Sequence, residues 1–475
     1  MQQYDNILTA QHSTAKYQLP TICALATSPG GAIAIIRVSG TEAIKITSRI
    51  FRPKNGTALT DAKGYTLHYG EIRNASGESI DDVMVSVYQA PHSYTGENST
   101  EIACHGSRYI VQQIIQALID NGCRQAEPGE YTRRAFLNGK MDLSQAEAVA
   151  DLIASTNKAT HQMAMSQLKG HFSSELSLLR EQLLKMTSLL ELELDFSDHE
   201  ELEFADRAEL KALAQKTDER IIKLVRSFET GNAIKQGIPV AIVGKTNVGK
   251  STLLNQLLHE DKAIVSDIHG TTRDVIEDTT QIHGLTFRFI DTAGIRQTTD
   301  VVEKLGIERT YQMIDRATIV IWMTDNEPTE SEQKEMADKC TEKKLIMVRN
   351  KVDNLTSLAP TPQNPSVSSS IYSLSISAKY GLGIQALEEA LYAAAGIPEI
   401  SENDVIVTSV RHYEALAKAH DALLHVMQSM TLGLSSDLIA EDLKLVLQEL
   451  GEITGGQINS QETLNNIFQH FCIGK

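Results

Sequence analysis

Three things are scarce in this 475-residue chain: basic charge, paired cysteines and long apolar runs. Lys and Arg number 44 against 61 Asp and Glu, a formal net charge of −17. A surface this acidic does not attract phosphate backbones over its whole area, which excludes bulk RNA coating. Any nucleic-acid contact must use a local basic site or come through a partner. The five cysteines, Cys23, Cys104, Cys123, Cys340 and Cys472, are odd in number and form no C-x-x-C pair. That excludes a zinc ribbon and argues against a disulfide framework, as in a reducing compartment. No apolar run reaches the roughly 18 residues of a membrane span, and Met1 to Lys16 lacks the apolar core of a signal peptide. The expected location is the cytoplasm, with no membrane partner.

What is present is an ordinary globular balance, 41% hydrophobic and 22% charged, in a chain long enough for roughly three domains. The first part reads as mixed α/β. Ala32 to Val38 and Val83 to Val87 are short β-branched strands, and apolar residues at 110, 111, 114, 115, 118 and 119 mark one helix face, stopped by Asn121-Gly122. From Asp142 the pattern is helical. Ser144 to Glu147 reads as a capping box, and Leu168, Phe172, Leu176, Leu179, Leu183, Met186 and Leu190 step by three and four. The acidic stretch Glu191 to Asp206 lacks metal-ligand spacing and reads as a solvated helix end or loop.

After Gly237, short apolar strands (Val240 to Val243, Phe287 to Ile290, Ile319 to Met323, Leu345 to Val348, Ser373 to Ile376) alternate with helical segments, as in a doubly wound, mostly parallel sheet. Pro360 to Ser370 reads as a surface loop. Beyond Pro398 the chain is helical again, with a helix expected from Asp437 to Leu450 stopped by Gly451. Neither flanking helical segment has a partner of its own, so the economical arrangement packs them together and makes the α/β unit an insertion.

The chemistry concentrates in that unit. Gly244-Lys245-Thr246-Asn247-Val248-Gly249-Lys250-Ser251-Thr252 matches G-x-x-x-x-G-K-[ST] between a strand and a helix. Its glycines let backbone N–H groups wrap phosphate oxygens, Lys250 neutralises β/γ charge, and Ser251 offers a hydroxyl to Mg²⁺. Asp291-Thr292-Ala293-Gly294 follows the next strand. Its carboxylate can hold Mg²⁺ through water, and Gly294 can donate to a γ-phosphate. Asn350-Lys351-Val352-Asp353 supplies a carboxylate that accepts both N1–H and N2–H of guanine, a pair of donors that adenine lacks. Ser377-Ala378-Lys379 fits a base-edge loop, with the Ala378 N–H toward guanine O6. Five motifs in this order, each at a strand end, specify a GTP/GDP site of the translation-factor type. Two features depart from the Ras-like pattern: Ile295 stands where a water-orienting glutamine is expected, and no arginine finger is evident beyond the weak candidate Arg273. From the residues alone, Asn247 reads equally as a polar loop residue or as a ligand for a monovalent cation.

The whole chain beyond about Leu19 resembles the bacterial tRNA modification GTPase family MnmE, also called TrmE. The likeness rests on Gly31 to Gly40, Ser93-Tyr94-Thr95-Gly96-Glu97, Arg134 to Lys140, Gly270-Thr271-Thr272-Arg273-Asp274 and the terminal Phe471-Cys472-Ile473-Gly474-Lys475. The resemblance implies an α/β GTPase domain inserted into an all-α helical domain, preceded by an α+β folate-binding-like N-terminal domain. Its boundaries would be an extension over 1–20, the N-terminal folate-binding and dimerisation domain over 21–140, helical segments over 141–236 and 398–475, and the GTPase domain over 237–397. It further implies a K⁺-activated homodimer. With an FAD-containing MnmG-type partner in a hetero-oligomer, the dimer adds an aminomethyl or carboxymethylaminomethyl group at C5 of the wobble uridine, position 34, of tRNA. Asn247 then matches a K⁺ ligand, with Ser266, Ile268 and Thr271; Ser251 and Thr272 match Mg²⁺ ligands; and Glu303 matches a water-orienting glutamate. Arg37, Glu101, Lys140 and Lys475 match contacts to a 5-formyl-tetrahydrofolate-type cofactor, for which Arg and Lys suit carboxylates and Glu suits pterin N–H groups. Cys472 is linked by the resemblance to the modification step; its ending is no prenylation box. The rival reading is a regulatory RNA- or ribosome-associated GTPase switch without modification activity, from which the folate-like N-terminal domain separates it.

Overall fold

The computed structural model describes residues 19–54, 56–195, 207–258, 278–290, 311–354, 371–398, 401, 404–456, 468, 471 and 474. It divides into two compact units, one of residues 1–150 with 451–475 and one of residues 151–450.

The first unit is built on a seven-stranded sheet. Strands β1 (Ile22–Leu25), β2 (Ile33–Ser39), β3 (Phe51–Pro53), β4 (Thr66–Arg73), β5 (Ser79–Tyr88), β6 (Ser99–His105) and β7 (Arg124–Gln125) lie in the order β3-β4-β5-β6-β2-β1-β7. All pairs are antiparallel except β1 with β7. Alternation sends Ile36, Val38, Val83, Val85, Val87 and Ile102 to one face, where α1 (Ala43–Ile50) and α2 (Arg108–Asp120) cover them. α2 spans the helix read from the sequence and ends at Asn121, as expected.

At the short helix α3 (Glu130–Leu137) the interior turns ionic. Arg134 and Glu130 are each 1% exposed. Arg134 donates to Glu130 at 2.8 Å, to Glu97 at 3.1 Å and to the Pro20 carbonyl at 2.8 Å, while Arg124 grips Glu130 at 2.6 and 2.9 Å. Burial alone would raise the Glu130 pKa. The Arg124 guanidinium, the Glu127 N–H and Arg134 outweigh it and hold that carboxyl down at about 2.

Helix α4 (Leu143–Ala154) corrects the capping expectation. The reciprocal bonds are Asp142 N–H to Gln145 Oε1 at 3.0 Å and Gln145 N–H to Asp142 Oδ1 at 2.9 Å, in place of the expected pair Ser144 and Glu147. Ser144 is buried inside the first turn, where a cap cannot sit.

In the second unit the apolar stripe from 168 to 190 belongs to two helices, α5 (Lys158–Leu168) and α6 (His171–Asp195), broken at Gly170 with φ +84°. α7 (Arg207–Gln236) leads through Gly237 into a six-stranded sheet of β8 (Ile238–Val243), β9 (Asp278–Ile282), β10 (Leu285–Phe289), β11 (Ile319–Thr324), β12 (Lys344–Arg349) and β13 (Ile371–Ser375), in the order β13-β12-β11-β8-β10-β9. It is parallel except for β9, an edge strand the sequence reading missed. β9 joins β10 through His283-Gly284, both at positive φ (50° and 82°), a hairpin turn that lacks the usual Asn-Gly signature.

The chain leaves the sheet for α11 (Val410–Thr431), with α8 (Lys250–Leu258), α9 (Glu330–Lys339) and α10 (Ile384–Ala395) between the strands and after them. α11 lies against α7: Asp218 meets His420 at 2.6 Å, Lys211 meets Thr431 at 3.1 Å, and Phe228 stacks on Tyr413. Gly231 lets the Val407 carbonyl approach so closely that a Cβ would lie 2.1 Å from it. The helices on either side of the α/β sheet therefore form one helical layer, with the sheet domain inserted between them. α12 (Ser436–Thr454) runs through Gly451 rather than stopping there. It ends at Gly455, φ +84°, where a Cβ would strike the Phe136 ring at 2.7 Å. Among the described residues no helix is long and apolar enough to cross a membrane. The loop expected over Pro360 to Ser370 lies outside the described residues.

Removing Arg134 leaves Glu97 without its cation and Glu130 with Arg124 in its place. Arg134→Met should cost about 3–5 kcal/mol in urea unfolding of the full chain. Because the Glu130 pKa is depressed in the fold, its contribution is present above the ordinary carboxylate pKa of 4.5 and fades as pH falls toward 2. The stability deficit of Glu130→Gln should accordingly shrink between pH 5 and pH 2; a deficit constant over that range would refute the assignment.

Candidate nucleotide-binding site and a second polar site

The first site lies at the carboxyl ends of the parallel strands. β8 ends at Val243, and Gly244 follows with φ +149°, close enough to β11 that a Cβ would lie 2.3 Å from the Met323 carbonyl. Asn247 (φ +63°) and Gly249 (φ +101°) bend the loop further before α8 starts at Lys250. A strand, a tight loop with left-handed residues and a helix N-terminus form the setting in which backbone N–H groups cradle an anion. Lys250 folds back over this loop, its Nζ donating to the Gly244 carbonyl at 2.6 Å and the Lys245 carbonyl at 2.9 Å. Burial lowers its pKa, so an arriving phosphate charge would stabilise the ammonium. Asn247 lies exposed on the loop surface.

Lys245 is tied to Glu332 at 3.0 Å. The Thr329 N–H, which the Glu332 carboxylate accepts in a capping box, and then Lys245 itself hold the Glu332 pKa near 2. Sequence reading missed Glu332, because nothing in a helix N-cap signature names a partner 87 residues away.

Asn350 follows β12 and is buried. Its Nδ2 donates to the Val248 carbonyl at 2.7 Å, and its Oδ1 accepts from the Ala378 N–H at 2.9 Å. One side chain thus joins the phosphate loop to the base-edge loop. Gly249 is needed beside it, since a Cβ there would lie 2.3 Å from Asn350 Nδ2. The Ala378 N–H, expected to face guanine O6, is engaged by Asn350 in this structure. Lys351 takes φ +65°, with Nζ 3.5 Å from Asp325, and Asp353 accepts from Ser377 Oγ at 2.6 Å. Lys379 is exposed over the Tyr380 ring. Ser251 and Thr252 lie in the first turn of α8.

The second site lies in the N-terminal unit. Arg37 on β2 and Glu101 on β6 are direct cross-strand partners, joined at 2.8 and 2.9 Å. Their charges neutralise each other, where sequence reading gave each its own ligand group. The Arg37 guanidinium lies 5.5 Å from the Tyr94 ring centre and 5.7 Å from that of Tyr131, and donates to the Gly474 carbonyl at 3.2 Å. Lys140 caps the Pro91 carbonyl at 3.1 Å and packs beside Gly96, in the same 90–97 segment that carries Tyr94. Tyr94, in the loop before β6, entered the sequence reading only within the Ser93 to Glu97 match, and Tyr131 is fully buried.

Ser266, Ile268, Thr271, Thr272, Arg273, Asp291, Thr292, Ala293, Gly294, Glu303, Cys472 and Lys475 lie outside the described residues. Among the described residues no cluster of three or more His, Cys, Asp or Glu side chains could hold a metal ion.

Asn350→Ala would strand the Val248 carbonyl and the Ala378 N–H in the interior, at about 1–3 kcal/mol for each unsatisfied group. Nucleotide affinity measured by calorimetry should fall at least tenfold; unchanged affinity would show that the two loops hold their positions without this bridge.

Comparison with known proteins gives the family of the chain. Residues 21–140 match the family model described as GTP-binding protein TrmE N-terminus, and residues 143–472 match that of the MnmE helical domain. The chain is 57% identical to a tRNA modification GTPase MnmE of Bacteroides fragilis, with 96% of this chain and 99% of the relative covered. It is 56% identical to the MnmE of Phocaeicola vulgatus at the same coverage. The crystal structure of Aquifex aeolicus Era bound to GDP·AlF4⁻ is 27% identical over 39% of this chain and 66% of its own, with a TM-score of 0.24 that carries no weight. By two models that span most of its length and by relatives covered almost end to end, this chain belongs to the MnmE family of tRNA modification GTPases.

Proposed function

We propose that this protein hydrolyses GTP in a K⁺-activated, dimerising GTPase domain. That hydrolysis would serve tRNA modification: with an FAD-containing MnmG-type partner, an aminomethyl or carboxymethylaminomethyl group is installed at C5 of the wobble uridine in the cytoplasm. The observation that carries the reading is the Asn350 bridge, which joins a phosphate loop and a guanine-edge loop in one frame. Asp353, with Ser377 holding one carboxylate oxygen, accepts the N1–H and N2–H of guanine and selects GTP over ATP. Lys250 leaves its two loop carbonyls for the β/γ-phosphate oxygens, to which the ammonium contributes charge as well as hydrogen bonds.

Mg²⁺ would be held by Ser251 and Thr272, with Asp291 acting through water; when bound it neutralises charge between the β- and γ-phosphates. K⁺ would be held by Asn247 with Ser266, Ile268 and Thr271, and supplies charge where an arginine finger would otherwise reach. The exposed Asn247 amide on a left-handed backbone suits that role. Glu303 would orient the attacking water in place of the glutamine replaced by Ile295, with Arg273 as a further candidate. Nothing in uridine chemistry needs a γ-phosphate, so hydrolysis serves domain rearrangement.

The N-terminal unit would hold a 5-formyl-tetrahydrofolate-type cofactor, the one-carbon donor when bound, through Arg37, Glu101, Lys140 and Lys475. Tyr94 beside Arg37 suits a planar, carboxylate-bearing ligand, while the buried Tyr131 holds the Arg37 backbone. Cys472 in the C-terminal tail belongs to the modification step. The domain boundaries stated from the sequence are part of this reading.

GTP hydrolysis compared in KCl and NaCl at equal ionic strength should be faster in K⁺, and Asn247→Ala should abolish the difference. Equal rates for the wild type in the two salts would remove the cation from the mechanism.

A further inference from the structure

The C-terminal tail meets the N-terminal unit at three residues. Phe468 is 1% exposed and packs with Leu143 and Ala146; Phe471 lies against it, ring centres 5.2 Å apart, and joins the same cluster. Gly474 reaches the end of β1, where its carbonyl accepts from Arg37 Nη1 at 3.2 Å. We propose that this tail clamps the second polar site: its docking fixes Arg37 for a carboxylate-bearing ligand, so that tail docking and ligand binding reinforce each other. Gly129 and Gly474 are the positioning residues that admit the tail. The inference rests on the ligand reading of that site and adds how the site is regulated.

The two glycines make room where no side chain fits. Gly129, at the N-cap of α3 with φ +64°, faces the Phe468 carbonyl, which a Cβ would meet at 2.6 Å, and Phe471 Cβ, which it would meet at 2.9 Å. Gly474, with φ +95°, lies so close to β1 that a Cβ would stand 2.3 Å from the Leu25 carbonyl oxygen and 2.9 Å from Ala26 Cα. Backbone atoms set the nearest obstacle at both positions, and no side-chain rotation relieves it.

Arg37 is the residue that tail and ligand share. A guanidinium carries five N–H groups in a rigid fork. On Arg37, Nε and Nη2 each give one to Glu101, at 2.9 and 2.8 Å, and Nη1 gives one to Gly474. One N–H remains on each terminal nitrogen, and the side chain is 20% exposed with the tail in place, so the fork can hold tail and ligand together. With Glu101 on one edge and the Gly474 carbonyl on the remaining nitrogen, the fork is oriented before a ligand arrives, which lowers the ordering cost of binding.

A terminus docked only by packing accounts for Phe468 and Phe471. It does not require an arginine of the polar site to donate to the tail backbone three residues beyond the last aromatic ring.

The test combines amide hydrogen exchange over residues 466–475 of the full chain with calorimetric binding of 5-formyl-tetrahydrofolate as the probe. Gly474→Ala should speed tail exchange about tenfold, and Arg37→Gln should do the same by removing one charge-assisted hydrogen bond, without backbone strain. The control is Gly77→Ala, at a similar φ of +82° but with nothing within 4 Å of its Cβ; its tail should exchange like wild type. The probe should slow tail exchange in the wild type and bind Gly474→Ala more weakly. The two factors should agree, because linkage between binding events is reciprocal. Wild-type exchange in both Gly474→Ala and Arg37→Gln would overturn the clamp. Faster exchange in Gly474→Ala with unchanged probe affinity would overturn the coupling and leave the ligand reading standing. No probe binding by the wild type would remove the ligand reading, and the coupling with it.

Discussion

The nucleotide site depends on one buried amide. Asn350 donates to the phosphate loop and accepts from the base-edge loop, and burial shields both bonds from solvent. Two loops that meet through a single planar group cannot drift apart without stranding a buried donor or acceptor. The glycines around it follow from the same constraint. Gly249 leaves room for the amide nitrogen, and Gly244 lets the loop pass against the Met323 carbonyl of the neighbouring strand. The frame is thus set before any ligand arrives, and less binding energy is consumed in ordering it.

The N-terminal unit uses charge where the GTPase domain uses an amide. Arg134 and Glu130 are almost wholly buried, yet each charge is met by opposite charge or by carbonyl oxygen from several chain segments. Such a network gives little net stability over apolar packing, but it tolerates few alternative arrangements, because a shifted partner leaves an unpaired ion. It fixes Glu97, whose carboxylate accepts from Ser39 Oγ at 2.7 Å, and with it the segment that carries Tyr94 to Arg37.

Much of the fold was legible in the sequence where a local signal was strong. The strand at Val240 to Val243, the helix from Arg108 to Asp120 and the alternation of the inserted sheet all follow from period and punctuation. The errors came where two local signals competed. Asp142 and Ser144 are both good caps, and only the burial of Ser144 decides between them. Gly451 is an ordinary helix stop, yet packing carries α12 onward to Gly455, where the Phe136 ring admits no side chain. The edge strand Asp278–Ile282 has too few apolar residues to stand out, and it exists because β10 offers it a ladder.

The sequence by itself determined the chemistry of the nucleotide site. The order of G-x-x-x-x-G-K-S, D-T-A-G, N-K-x-D and S-A-K states phosphate, metal and guanine recognition, because each motif draws its meaning from residues adjacent in the chain. Only the tertiary structure decided which groups meet across long separations. Asn350 reaches Val248 102 residues away, Arg37 meets Glu101 across 64, and the Gly474 carbonyl comes to Arg37 across 437. The physical reason is the same throughout: sheet register and burial choose partners by their position in space, and a one-dimensional pattern carries periodicity but not register.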